Sequence, residues 1–186
     1  MSSPLTLSTE RLILRQWQIS DAEPFAQMSA DPKVMNMLLG PIDAQASAAM
    51  EQKIMAQILE NGWGFWALAL KETQEFIGFT GLNRPNADLP FSPCVEIGWR
   101  LAFAHWGNGY ATEAAKAALA FGFNHLELTE IVAFTALSNH PSQAVMQRLG
   151  MQREPQNFMH PKVPAGHPLQ AHCLYRLSQS AWRREG

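Results

Sequence analysis

The sequence predicts a single α/β domain of the α+β kind, a sheet flanked by helices, over residues 1–186 with an ordered core of about 8–179. Three observations carry that expectation. Runs whose apolar residues alternate every second position are interleaved with runs at helical spacing. Two of the alternating runs are parted only by a short polar stretch, as in a hairpin. Two glycines one residue apart open directly into an alanine-rich segment, "WGNGYATEAAKAALAFGF". With 186 residues, 47% of them hydrophobic and 16% charged, the chain should bury about 70% of its unfolded surface around one core. Nothing repeats, and no low-complexity linker divides it.

In chain order, "ERLILRQW" sets Leu12, Leu14 and Gln16 against Arg11, Ile13 and Arg15 and reads as a strand. "SDAEPFAQMSAD" reads as a helix with Ser20 or Asp21 as its cap. A second helix, "DAQASAAMEQKIMAQILENG", spaces Ala46, Met50, Ile54, Ile58 and Leu59 along one side and stops at Asn61-Gly62. Residues 65–70 and 76–82 form a hairpin across "KETQE". After the loop "RPNADLPFSP", the strand "CVEIGWRLAF" places Val95, Ile97, Trp99, Leu101 and Phe103 on one face. Glu96, Gly98, Arg100 and Ala102 fall on the other. The helix over 111–126 carries a stripe of mostly small residues, Ala111, Ala115, Ala118, Leu119, Gly122 and Leu126, which lets it lie close on a sheet. "EIVAFTALSN" is a buried strand. "HPSQAVMQRLG" is a short helix with Pro141 near its first position and Gly150 at its end. Strands over 151–154 and 173–177 complete the set.

Charge and hydropathy narrow the function. A formal net charge of -2 leaves no broad cationic field for nucleic acid or an anionic membrane. No apolar run approaches the roughly 20 residues that span a bilayer; even "FWALAL" is stopped by Lys71 and Glu72. The stretch "MSSPLTLSTERL" lacks the apolar centre of a signal peptide. Cys94 and Cys173 lie far apart and in no metal-ligand spacing, which fits a reducing cytoplasm.

The glycine pair points to chemistry. The first turn of a helix has N–H groups without internal partners, and its dipole adds partial positive charge there. Gly107 and Gly109 allow a loop in which a phosphate meets main chain. The competing reading is that they only shape a turn.

Taken together, "EIGWRL", "WGNGYATEA", "NHPS" and "RLGM" and the order of elements resemble the GNAT N-acetyltransferases over the whole chain, in the branch containing the ribosomal-protein N-terminal acetyltransferases. The family's pyrophosphate pattern, Gln/Arg-x-x-Gly-x-Gly/Ala, fits Trp106-Gly107-Asn108-Gly109-Tyr110-Ala111, with Trp106 at the Gln/Arg position as in that branch. The resemblance implies a splayed, mostly antiparallel mixed sheet and acetyl-CoA as co-substrate without a metal. Main-chain N–H groups from 107–111, continuing into Thr112, would hold the pyrophosphate, and the shape of the loop would matter more than its side chains. Leu101 and Phe103 would run along the pantetheine. Asn139 and Ser142 form an Asn-x-x-Ser element: Asn139 would bind the coenzyme and Ser142 protonate or orient the departing thiolate. The plainer readings are that Asn139 stops a strand and Ser142 caps the short helix.

Glu96 is the general-base candidate, with Gly98 leaving space beside it; its alternative is an ion pair with Arg100. A terminal α-amine, pKa near 8, is far closer to losing its proton at neutral pH than a lysine near 10.4, a difference of about 3 kcal/mol. A carboxylate acting through water suits the former. Glu113, in the first turn of its helix, reads as dipole stabilisation. Covalent catalysis through Cys94 or Cys173 is rejected, since both read as buried small hydrophobes. His160, His167 and His172 in "FMHPKVPAGHPLQAHCLYRL" read as a fixed irregular lid rather than a metal site. Trp17, Trp63, Trp66, Trp99 and Tyr175 read as core, with any on a cleft rim able to seat an acceptor. The acceptor is a primary amine, either a protein N-terminal α-amine or a small amine or amino acid. A non-catalytic acetyl-CoA sensor is the rival from another class. The resemblance carries homodimer formation as a family-level expectation.

Overall fold

The computed structural model describes residues 5–185. The elements run β1 (Leu7–Ser8), β2 (Leu12–Arg15), α1 (Ala22–Ala30), α2 (Pro32–Met35), α3 (Ala44–Asn61), β3 (Phe65–Leu70), β4 (Phe76–Asn83), β5 (Glu96–Leu101) and α4 (Tyr110–Asn124). They continue β6 (Glu130–Ala136), α5 (His140–Arg148), β7 (Gln152–Arg153), β8 (Phe158–Met159), β9 (Ala171–Ser178) and α6 (Gln179–Glu185). All strands join one sheet in the order β1-β2-β3-β4-β5-β6-β9-β7, with β8 paired on β9. Every pairing is antiparallel except β5 with β6, whose parallel register holds at a single position, Glu96 opposite Val132.

Helix α4 covers one face of the sheet, and its small residues explain how. Ala114, Ala115 and Ala118 are fully buried. At Gly122 a Cβ would come within 2.7 Å of Ile131 Cδ1 and 2.9 Å of Leu82 Cδ1, so the helix could not sit this close with anything larger. Helices α1 and α3 cover the other face over a cluster of Trp17, Phe25, Phe76 and Phe79, whose rings meet edge-on or tilted. The Trp17 indole Nε1 donates to the Phe65 carbonyl at 2.8 Å, satisfying its polar atom inside that cluster.

Several expectations change in detail. Helix α3 begins at an Asp43 cap and ends on left-handed Gly62, as its sequence indicates. Leu59 is 73% exposed, however, so the buried stripe runs through Ile54 and Ile58 without it. Asp21, not Ser20, stands at the N-cap position of α1, but its side chain makes no capping hydrogen bond to the helix. Asp21 is buried, makes a two-pronged pair with Arg15 at 2.7 and 2.9 Å, and accepts the Gln18 N–H at 2.8 Å. The strand expected over "CVEIGWRLAF" ends at Leu101, and Phe103 lies in a 3-10 turn with its ring exposed beneath Lys33 Nζ. Elements β1, α2, β8 and α6 have two to seven residues, too short for a periodic signal. Even so, "DPKVM" carries a legible start in the Asp31 cap and Pro32.

Asp21 joins β2 to the segment entering α1, and Arg15 is the cation that compensates its burial. Asp21→Ala should therefore cost about 3 kcal/mol in urea unfolding, because it leaves the guanidinium buried and unpaired. Replacing both partners with apolar residues should recover much of that loss.

Candidate active site

The loop entering α4 has the geometry of an anion cradle. Gly107 and Gly109 take φ of 78° and 79°, a left-handed conformation that other residues adopt only under strain. A Cβ at Gly107 would meet nothing within 4 Å, so the glycine is required by backbone conformation, not by crowding. Gly109 is the N-terminal boundary of α4, and the N–H groups of Tyr110, Ala111 and Thr112 belong to its first turn. The loop is exposed from Trp106 through Gly109.

Side chains hold this loop from behind. The Trp106 indole donates to the Leu101 carbonyl at 2.8 Å, which gives the tryptophan at the Gln/Arg position a structural task. The Asn108 amide donates to the carbonyls of His105 and Trp106 at 3.3 and 3.2 Å, so one loop side chain matters to the shape. Arg11 donates to the Asn108 carbonyl at 3.1 Å and lies over the Tyr110 ring. Its Nε also reaches Glu113 Oε2 at 2.7 Å. Glu113 further accepts Thr9 Oγ1 and the Arg11 N–H. Burial pushes this carboxyl up, but those hydrogen bonds and the Arg11 charge outweigh it and hold it below the usual range. Glu113 thus sits in the first turn as its dipole role requires, and in addition ties α4 to the edge of β2.

On the other wall of the gap, α5 starts where β6 ends. Asn139 is its cap: Oδ1 accepts the Ser142 N–H at 3.3 Å and Nδ2 donates to Thr135 Oγ1 at 2.9 Å. The cap is therefore Asn139 and not Ser142, whose half-buried hydroxyl has no protein partner among the described residues. The Leu101 side chain is buried in the core on the strand next to the gap, and Phe103 stands outside it.

Glu96 sits at the joint of β5 and β6, in a cavity of about 240 Å³ whose lining includes Asn83, Phe134, His160, Lys53 and Lys162. Burial drives its carboxyl up from 4.5 to about 7, partly offset by the Asn83 amide, which donates at 2.7 Å, and by the charge of Lys162. The ion pair with Arg100 does not form. Arg100 instead donates to Met50 Sδ at 3.8 Å and lies over Phe79, its buried Nε unpartnered, and burial lowers it to about 10. Nor does Gly98 leave open space: a Cβ there would lie 3.0 Å from the Phe65 ring, which fills the position.

Among the described residues no group of three or more His, Cys, Asp or Glu side chains is placed to hold a metal ion. The rings of His160 and His172 meet at a tilt, centroids 4.8 Å apart, within a cluster of Phe134 and Phe158, forming one wall beside the cavity. His167 accepts the Leu169 N–H within its own turn. Cys94 and Cys173 are both free thiols pushed up by burial, with Cys94 further raised by Glu96. Trp17, Trp63 and Trp66 and Tyr175 are core, and Trp99 packs against it. A wider surface depression of about 410 Å³ beside the loop mixes Glu10 and Glu72 with Arg11 and Lys71. Asn83, Thr135, Lys162 and Arg11 are site residues without a local sequence signal, since each is brought in by the fold. No helix is long and apolar enough to cross a membrane among the described residues.

Comparison with known proteins agrees with this geometry. Residues 11–152 match the acetyltransferase (GNAT) domain. The chain is 35% identical over 151 residues to an uncharacterized N-acetyltransferase, p20, of Bacillus licheniformis, covering 80% of this chain and 83% of that one. A GNAT-family acetyltransferase structure from Bacillus anthracis superposes with a TM-score of 0.79 at 25% identity, over 95% of this chain and 99% of the other. Mycobacterium smegmatis RimJ, solved with CoA-disulfide, shares the fold with a TM-score of 0.73 at 20% identity, over 94% and 88% of the two chains. The chain belongs to the GNAT acetyltransferase family. It is an acetyl-CoA-dependent acyltransferase.

Two measurements check this site. Gly109→Val should weaken acetyl-CoA binding in calorimetric titration by at least about tenfold, because valine resists positive φ and its branches crowd the approach to the main chain. Asn108→Ala should cost only about fivefold, the loss of roughly 1 kcal/mol of loop hydrogen bonding. The second concerns pH and stability. A carboxyl raised from 4.5 to about 7 by folding binds its proton more tightly in the folded state. Its contribution is thus full at low pH and lost as pH rises through that window. Glu96→Gln should match wild-type stability near the lower value and exceed it above the upper one in thermal unfolding.

Proposed function

We propose that the protein acetylates a primary α-amine by direct attack within a ternary complex, with Glu96 as the general base. The observation that carries this reading is the carboxyl of Glu96, held near neutrality in a cavity at the one point where β5 and β6 meet. A base of that strength is about one unit below a terminal α-amine and more than three below a lysine, so it accepts a proton from the former at modest cost.

Acetyl-CoA supplies the activated thioester carbonyl. First-turn N–H groups of α4 and those of 107–111 hold the pyrophosphate, with Trp106 and Asn108 fixing the loop. Glu96 takes the amine proton directly or through one water, the amine nitrogen bonds to the acetyl carbon, and the carbon–sulfur bond breaks. Ser142, its hydroxyl without a protein partner among the described residues and beside the Asn139 cap, passes the second proton lost by the attacking amine to the departing thiolate, or orients that thiolate. Both cysteines are kept as thiols and neither is drawn into the reaction.

A protein N-terminus is one source of the α-amine, and a free amino acid or other small amine is the alternative. The sensor reading has no use for a desolvated carboxyl inside a cavity. Two unpaired thiols fit a cytoplasmic enzyme.

Glu96→Gln keeps the size and the Asn83 hydrogen bond but removes basicity. It should lower kcat by about two orders of magnitude with acetyl-CoA affinity nearly constant, and flatten the acidic limb of the pH–rate profile, which in the wild type rises through about 7. Near-normal kcat with that limb unchanged would remove Glu96 from the chemistry.

A further inference from the structure

The cavity around Glu96 has the wrong charge for a polycation. Its titratable lining consists of Glu96, Lys53, His160 and Lys162. Lys53, from α3, and Lys162, from the turn between β8 and β9, bring two ammonium groups that pair with no carboxylate among the described residues. Burial, with the neighbouring His172 and the charge of Lys162, lowers His160 and disfavours a charge on it. Two positive charges therefore face at most one negative charge, in a chain whose formal net charge is -2. On the same face of β5, beyond the Phe65 ring, Arg100 adds a third cation whose Nε has no partner among the described residues. Met50 connects the two places, lining the cavity and accepting from Arg100.

An amine entering as part of a polycation, such as a polyamine or a lysine-rich tail, meets like charge in that pocket, and like-charge juxtaposition selects against it. An amine that carries a carboxylate a few bonds away meets the opposite. We infer that the acceptor is an α-amine with a nearby carboxylate, its amine at Glu96 and its carboxylate held by Lys53 and Lys162. The inference rests on Glu96 being the proton acceptor of the proposed reaction. Lys162 lines the same cavity as Glu96, and its charge lowers that carboxyl. One ammonium group at that range serves two ends: it fixes the acceptor's anion, and it keeps the base from climbing further above neutrality. The neutral amides of Asn83 and Gln57 also line the cavity without adding charge.

The test is coenzyme A release with matched acceptors: a tripeptide amide beginning Asp, the same peptide beginning Asn or Lys, alanine against alaninamide, and spermidine. The wild type should favour the Asp peptide over the Asn peptide by at least about tenfold in kcat/KM, chiefly through KM, and the preference should shrink at high ionic strength. A greater gain for alanine over alaninamide would identify a free amino acid as the source of the carboxylate, and a greater gain for Asp over Asn a peptide N-terminus. Lys53→Glu with Lys162→Glu should reverse the order of the Asp and Lys peptides. Lys162→Gln, a milder change, should lower the Asp preference without reversing it. Equal or better use of the Lys peptide or spermidine by the wild type would overturn the inference, as would a preference unmoved by charge reversal. Full kcat in Glu96→Gln on the best acceptor would instead overturn the assignment of the base, and turnover of none of these amines would overturn both.

Discussion

The structure depends on the failure of β5 and β6 to pair beyond Glu96 and Val132. A parallel ladder offers evenly spaced hydrogen bonds along both strands, so a register of one residue leaves main-chain groups of both strands facing a gap. Because the strands are parallel, their C-terminal ends point the same way, and each feeds the N-terminus of a helix: β5 leads to α4 and β6 to α5. Two positive helix ends therefore stand at the same end of one gap. The protein ties down the walls of that end with its own groups. Trp106 takes the Leu101 carbonyl on one side, while Asn139 on the other grips both Thr135 and the first turn of α5.

The elements that bound the gap were legible in the sequence because their signals are local. The alanine stripe of α4, the hairpin of β3 and β4, and the Gly-x-Gly turn each show in adjacent residues. The strand face on which Glu96 stands was legible for the same reason, since alternation alone separates it from Ile97 and Trp99. The rest depends on tertiary neighbours that alternation cannot report. The space beside Gly98 belongs to Phe65, from two strands away. Glu96 meets Asn83 across the β4–β5 register instead of Arg100 along its own strand. Arg11 and Glu113 are 102 residues apart, and their pair exists only because α4 crosses the edge of β2. The end of β5 was misjudged for a related reason: Phe103 keeps the strand's alternation, but the chain has already turned at Ala102.

Glu96 and Arg100 show how one strand face can hold two opposite charges without joining them. Four residues apart on β5, they are separated by the Phe65 ring lying over Gly98, and each takes a different partner. Had they paired, the carboxylate would be held ionised and its basicity spent. Apart, burial pushes Glu96 up and Arg100 down. Each charge is destabilised in a place where an incoming group can relieve it. The glycine at position 98 is thus tied to the chemistry indirectly, by making room for the ring that keeps the two apart.

The same strand also sets the distance between the two ends of the site. From Glu96 to Leu101 β5 spans about 16 Å at the usual rise of a strand, with the proposed base at its first residue and the anchor of the proposed coenzyme loop at its last. It is hydrogen-bonded to β4 along its whole length, from Asn83 opposite Glu96 to Gly78 opposite Leu101, so neither end moves without the sheet. A loop could not keep that spacing to the fraction of an ångström that proton transfer and thioester attack require. The Trp106 indole matters for this reason as well as for satisfying the Leu101 carbonyl: it joins a loop of flexible glycines to the rigid ruler on which Glu96 is mounted. The Arg11 and Glu113 pair does the same from the β2 side. The loop is thereby fixed to the sheet at two points while its N–H groups stay open to the ligand.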